Sequence, residues 1–193
     1  RLPETYSFPY LREIGKQAEQ AMMKATGGVN THRGALFSMG IAVVGVSQDL
    51  LHGKKWNETV KSLASDIPAS RSSYGAMAKA RHNAKGALDL ARGGYDEVSS
   101  AWLPFYQSLD DDKNAAVKTL LLIMSQLDDT NIIHRVGFDR AQQVKNEAAS
   151  SLEDFSLDKV TALNSRFIQE NISPGGAADM LALTFFINSI TKH

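Results

Sequence analysis

RGALFSMGIAVVGVSQDLL, residues Arg33–Leu51, places apolar side chains on almost every face of a 3.6-residue helix. A helix that is apolar nearly all round belongs in an interior, so this segment is read as a central helix. AAVKTLLLIMSQL (Ala115–Leu127) and the run from Ala177 to about Ile190 have the same character. Helices like these need neighbours with a single apolar stripe, and the periodicity supplies them. Leu11, Ile14, Ala18, Met22 and Ala25 form one stripe, ended by Thr26-Gly27-Gly28. Trp56, Val60, Leu63 and Ile67 mark another, stopped by Pro68. A further helix is expected from Ser73 to Arg92, leaving through Gly93-Gly94. Ala141, Val144, Ala148 and Leu152 make the next stripe, and Ser156 caps one carrying Leu157, Val160, Leu163 and Phe167. Asp96 and the run Asp110–Asp112 are each placed to open a helix. No alternating strand pattern and no hairpin dipeptide intervenes. The reading is an all-α, single-domain helical bundle over residues 1–193.

Composition narrows the function. The 193 residues hold 21 Lys+Arg and 21 Asp+Glu, for net charge +0, which gives no broad electrostatic footprint for nucleic acid or an anionic membrane. The balance hides a split: residues 1–100 carry 13 basic and 9 acidic residues, and residues 101–193 carry 8 and 12. No cysteine is present, which removes thiol nucleophiles, thiolate metal sites and disulfides together. The first residues lack the apolar core of a secretory signal, and the longest apolar run, Ala35 to Val46, is shorter than the ~20 residues of a membrane span. A cytoplasmic protein is expected.

Three places break the helical monotony. The stretch from Thr26 to Gly34 is a glycine turn before the central helix. Gly28 lets the backbone turn, Asn30 and Thr31 can cap the helix or bind a ligand, and His32 and Arg33 suit phosphate. A plain capped turn fits the stretch equally well. Ser173, Gly175 and Gly176 open the last apolar helix in the same manner, with Asp179 near its start. Asp128, Asp129, Thr130 and Asn131 follow Leu127, with His134 and Arg135 just beyond. Read as the C-terminus of the preceding helix, the two carboxylates oppose its dipole, and a divalent cation such as Mg²⁺ would relieve that repulsion. Walker, dinucleotide-binding and zincin motifs are absent. Arg71, Lys79, Arg81 and Lys85 read as a solvated basic face, and His52, His82 and His193 as surface or packing residues.

At these positions the sequence resembles a known family. TGGVNTHRGALFSMG is similar to the "GVNTHKGAIFSLG" block of the triphosphoribosyl-dephospho-CoA synthases. Leu127 to Asn131 with Arg135 and Gly137 resembles the family's "DDTN…R-x-G" block, and SPGGAADMLALTFF its "SPGGSADLLALTLF" block. Gly75 to Gly94-Tyr95 resembles its glycine-spaced central helix, except that Leu88 and Leu90 stand where the family commonly has Arg and Glu. The family's N-terminal "KPGLVD…NGAH-x-DM" block precedes the equivalent of Arg1.

The resemblance implies a transferase using ATP and 3′-dephospho-CoA, in which the 2′-hydroxyl of the acceptor displaces adenine from the ribose of ATP. On that reading Asp128 and Asp129 hold Mg²⁺, and Asp129 and Asp179 are the catalytic carboxylates. Gly28, Asn30, Thr31, His32, Arg33, Thr130, Asn131, Arg135, Ser173, Gly175 and Gly176 contact nucleotide or phosphate. The implied partners are small-molecule nucleotides and a downstream carrier-protein transferase, with no nucleic acid and no membrane. A non-catalytic nucleotide-binding module and a ribosyl-bond hydrolase are the competing readings.

Overall fold

Every regular element among the described residues is helical, in keeping with the sequence periodicity. The structure is a computed structural model and describes residues 7–30, 32–68, 74–110 and 112–191. Thr31, Arg71, Ser73, Asp111 and His193, each named above, lie outside the described residues. The elements are α1 (Phe8–Ala25), α2 (Arg33–His52), α3 (Trp56–Ser65), α4 (Tyr74–His82), α5 (Ala87–Arg92), α6 (Leu103–Ser108), α7 (Ala115–Gln126), α8 (Thr130–Val136), α9 (Phe138–Glu153), α10 (Leu157–Gln169) and α11 (Gly175–Thr191). Contacts divide the chain into two units, one of Arg1–Ala69 with Ala87–Asp96 and the other of Ser70–Gly86 with Glu97–His193.

In the first unit α2 packs against α1, α3 and α5. Its buried residues include Ser38, Ile41, Ala42, Val44, Gly45 and Val46. Gly45 permits the close approach to α3, because a Cβ there would stand 2.6 Å from the Trp56 carbonyl oxygen. The helix ends at Gly53 in the left-handed conformation, whose N–H donates to the Asp49 carbonyl, while the Asp49 carboxylate accepts from the Trp56 N–H to start α3. Arg92 donates to the carbonyls of Ala64 and Ile67 and so satisfies the end of α3. The expectation that α2 is buried all round is corrected on one side: Val43 is 49%, Leu50 74% and Leu51 61% exposed. At 20 residues α2 is also long and apolar enough to cross a membrane by length and composition, although Ser38 and Gln48 are among the residues it buries.

The helix expected from Ser73 to Arg92 is two helices. Asn83 takes a left-handed φ of 55°, a conformation that asparagine tolerates better than most residues, and its N–H closes α4 onto the Lys79 carbonyl. The chain resumes helical form only at Ala87, after the buried Ala84.

In the second unit α7 packs on α9, and α11 packs on α6, α7 and α8. Thr119, Leu121, Ile123 and Met124 of α7 and Ala177, Met180, Leu183, Thr184 and Ile187 of α11 supply much of its interior. The hydroxyls of Thr119 and Thr184 are buried without cost, because each donates to the carbonyl four residues back. Asp112 does open α7, accepting from the Asn114 N–H and from Lys118, which holds its carboxyl below the ordinary value. Ahead of α6 the chain forms a π-turn at Val98–Trp102, where the Leu103 N–H reaches back to the Val98 carbonyl. Pro104 has no N–H to continue a regular ladder, which accounts for the wide turn just before it.

Replacing Gly45 with Ala should therefore lower stability by about 1–3 kcal/mol through overpacking against α3. Gly40→Ala on the same helix, where a Cβ meets nothing within 4 Å, should raise it by about 0.5–1 kcal/mol. Urea midpoints of the two variants give the comparison, and equal shifts would refute the close approach.

Candidate functional site

Asp129 does not end the helix before it. It opens α8, a short helix that the periodicity does not reveal, with its Oδ1 accepting from the Asn131 N–H at 2.9 Å. This corrects the helix-end argument: the carboxylate sits at a positive helix terminus, where its charge is favoured. Its Oδ2 accepts from the Ala177 N–H at 3.1 Å, across a separation of 48 residues. The amides of Ile132 and Gly176 also face it and favour its charged form, but its hydrogen-bond donors are Asn131 of α8 and Ala177 of α11. One buried carboxylate thus caps two helices. Burial pushes the Asp129 carboxyl above its ordinary value, and the four amides oppose that push.

The glycines of the last turn serve this arrangement. A Cβ on Gly176 would lie 3.0 Å from Cγ and both carboxylate oxygens of Asp129, and one on Gly175 would lie 3.2 Å from Nδ2 of Asn131. The Gly176 amide, assigned above to a phosphate, faces the Asp129 carboxylate. The glycine is needed for room.

The proposed metal pair fares similarly. A carboxylate has about four lone-pair sites, and the Asn131 and Ala177 amides take one on each oxygen of Asp129. Asp128 is held separately, accepting from Lys145 Nζ of α9 at 2.7 Å. Among the described residues no three His, Asp or Glu side chains group as metal ligands. With Asp129 buried on backbone amides and Asp128 paired to Lys145, the junction does not present the grouped carboxylates that Mg²⁺ favours. Lys145 was not anticipated, and only its place on α9 opposite the end of α7 reveals it.

Around the junction other groups stay at the surface. Asn131, Arg135 and Ser173 are exposed, Thr130 and Gly175 half-buried, and Asp179 half-buried one turn into α11. The Arg135 guanidinium donates to Oδ1 of Asn171, a residue held at φ 56°, at 3.0 Å. The structure thus brings the Asp128–Asn131 and Ser173–Asp179 segments together in the second unit.

The glycine turn before α2 belongs to the first unit. Gly27 and Gly28 take positive φ, and the Gly28 N–H closes α1 by donating to the Met23 carbonyl. Asn30 Oδ1 accepts from the Arg33 N–H at 3.1 Å, fixing the entry to α2 as expected for a capping residue. The Arg33 side chain is ion-paired with Glu19 of α1 rather than left open for an anion. The His32 N–H contacts the sulfur of Met22.

Substitution of Asp129 by Asn should cost about 2–4 kcal/mol, since an amide nitrogen would face backbone donors that lose their acceptor. Gly176→Ala should cost about 1–3 kcal/mol by crowding the same carboxylate. Asp128→Asn, which touches only the partly exposed Lys145 pair, should cost less than 1 kcal/mol. Chemical denaturation of the three variants checks the order, and a harmless Asp129→Asn would overturn the double cap.

Residues 3–193 match the family described as ATP:dephospho-CoA triphosphoribosyl transferase. A protein of Acinetobacter calcoaceticus named as a 2-(5''-triphosphoribosyl)-3'-dephosphocoenzyme-A synthase is 30% identical over 204 residues, covering 94% of this chain and 69% of the relative. The similarly named protein of Azotobacter vinelandii is 33% identical over 201 residues, covering 92% and 66%. That of Escherichia fergusonii is 32% identical over 208 residues, covering 95% and 69%. The chain therefore spans about two thirds of the length of these relatives. A crystal structure from Archaeoglobus fulgidus, described as a triphosphoribosyl-dephospho-CoA synthase, superposes with a TM-score of 0.65 at 15% identity, covering 94% of each chain, a likeness of fold. With the family pattern running through both glycine turns and the Asp129 junction, the chain belongs to the ATP:dephospho-CoA triphosphoribosyl transferases.

Proposed function

We propose that this chain performs the family's transfer, moving the triphosphoribosyl group of ATP onto the 2′-hydroxyl of 3′-dephospho-CoA. The observation that carries the reading is the family match over residues 3–193. The acceptor oxygen forms a bond to the anomeric carbon of the ATP ribose while the bond to adenine breaks. The hydroxyl proton goes to a base, and adenine leaves with the bonding pair and takes up a proton. Positive charge develops on the ribose as the bond to adenine stretches, as in glycoside chemistry.

With Asp129 committed to backbone amides, Asp179 is the carboxylate we assign to the acceptor proton. It lies half-buried beside the junction, on the same helix turn that Asp129 anchors. Asn131, Thr130 and Ser173 supply neutral hydrogen-bonding groups for ribose or base, and Arg135 supplies a cation for phosphate. Asn30, Thr31 and His32 of the first unit are assigned to nucleotide contacts on the strength of the resemblance.

The purified protein, incubated with ATP and dephospho-CoA, should release adenine and form a product whose mass equals the sum of the substrates less adenine. Asp179→Asn should lower the turnover number by about 10²–10⁴-fold while leaving nucleotide binding intact. Adenine release without dephospho-CoA would instead identify a hydrolase. Nucleotide binding with no adenine release would identify a binding module.

A further inference from the structure

The cations of the second unit fall into two groups. Lys118, Lys145 and Lys159 each pair with an aspartate, and Arg140 and Arg166 pair with Glu147. Arg81 and Arg135 have no carboxylate partner among the described residues, and they lie on α4 and α8, which pack together. An arginine left without an acid, in a unit whose other described arginines are paired, is placed for an anion from outside.

The packing of α4 on α8 puts the helices that carry these charges side by side. Ala78 is the buried residue of α4, and at about 100° per residue Arg81 and His82 flank it on either side. His82 lies flat on Phe138, with ring centroids 4.3 Å apart and planes within 5°. Phe138 follows α8 directly through Gly137, so the stack ties the end of α4 to the end of α8. Arg135, also in the last turn of α8, is steadied by the neutral Asn171 side chain, which leaves its charge uncompensated and further N–H donors to offer. Residues 74–85 and 130–138 contain Lys79, Arg81, His82, Lys85, His134 and Arg135 and not one Asp or Glu. Of these, Lys85 is drawn to Glu97. The sequence alone reads Lys79, Arg81 and Lys85 as part of a solvated face, and Arg135 as a contact to nucleotide or phosphate.

We propose that the α4–α8 face, through Arg81 and Arg135, binds the phosphate chain of a nucleotide substrate. The inference rests on the transferase reading for its ligand class, since both substrates of that reaction carry linked phosphates. Guanidinium groups suit such chains because each offers paired donors to phosphate oxygens as well as charge.

The test uses inorganic tripolyphosphate as the probe, with binding followed by calorimetry in the intact protein. Arg81→Gln and Arg135→Gln should each weaken binding by about tenfold, as expected for loss of one charge-assisted contact. Lys113→Gln, an exposed cation at the start of α7, should leave binding unchanged. Unfolding midpoints of all three should match the parent. Displacement of the probe by ATP alone assigns the face to the triphosphate, and displacement by dephospho-CoA alone assigns it to the acceptor's diphosphate. If the arginine variants bind like the parent, if Lys113→Gln weakens binding equally, or if neither nucleotide displaces the probe, the proposal falls. Adenine release separates this outcome from the function: turnover without arginine-dependent binding leaves the transferase standing, and arginine-dependent binding without turnover leaves the face standing.

Discussion

Two helix N-termini converge on one carboxylate in the second unit. A helix of ordinary length carries about half a positive charge at its N-terminus, so two such ends balance one anionic group. Asp129 supplies that group, 6% exposed, with donors from α8 on one side and α11 on the other. An isolated buried carboxylate would be strongly unfavourable, and α8 alone, with its seven residues, would be a poor nucleus. Each makes the other possible. The glycine at 176 is part of the same device, since the carboxylate occupies the space where its side chain would be.

This device orders what is available for chemistry. Asp129 takes the Ala177 amide and faces that of Gly176, so it draws on the first turn of the last helix. What remains exposed at the junction is side-chain chemistry: Asn131, Ser173 and Arg135, the last tied to Asn171. A similar economy holds at the other glycine turn, where Gly28 serves the end of α1 and Asn30 the start of α2.

The helical class and the apolar helices were legible in the sequence because their signal is periodic and local. Leu121, Ile123, Leu183 and Ile187 declare burial whatever they pack against. The break at Asn83 was less legible: its neighbours continue a helical pattern, and only the positive φ of one asparagine interrupts it. The position of Asp129 was misjudged for a different reason. Its sequence neighbours on one side are the end of α7, and the short apolar pair Ile132-Ile133 that makes α8 a helix is too brief to register as periodic. Its second set of partners lies 48 residues away, which no local pattern contains. The motif residues were found, and their roles were hidden by distance.

The long reach of the Asp129–Ala177 bond has a kinetic side. It closes a loop containing α8, α9 and α10, which must be gathered before the bond gains anything. Contacts such as α8 on α9 are near neighbours in the chain and can form early, whereas the docking of α11 belongs to the late, slow part of folding. In the native protein the amide hydrogens of Gly176 and Ala177 are then locked not by their own helix but by a distant residue. Their exchange with solvent measures how often the second unit lets go of its final helix, which makes these two first-turn amides slow where first-turn amides are ordinarily fast.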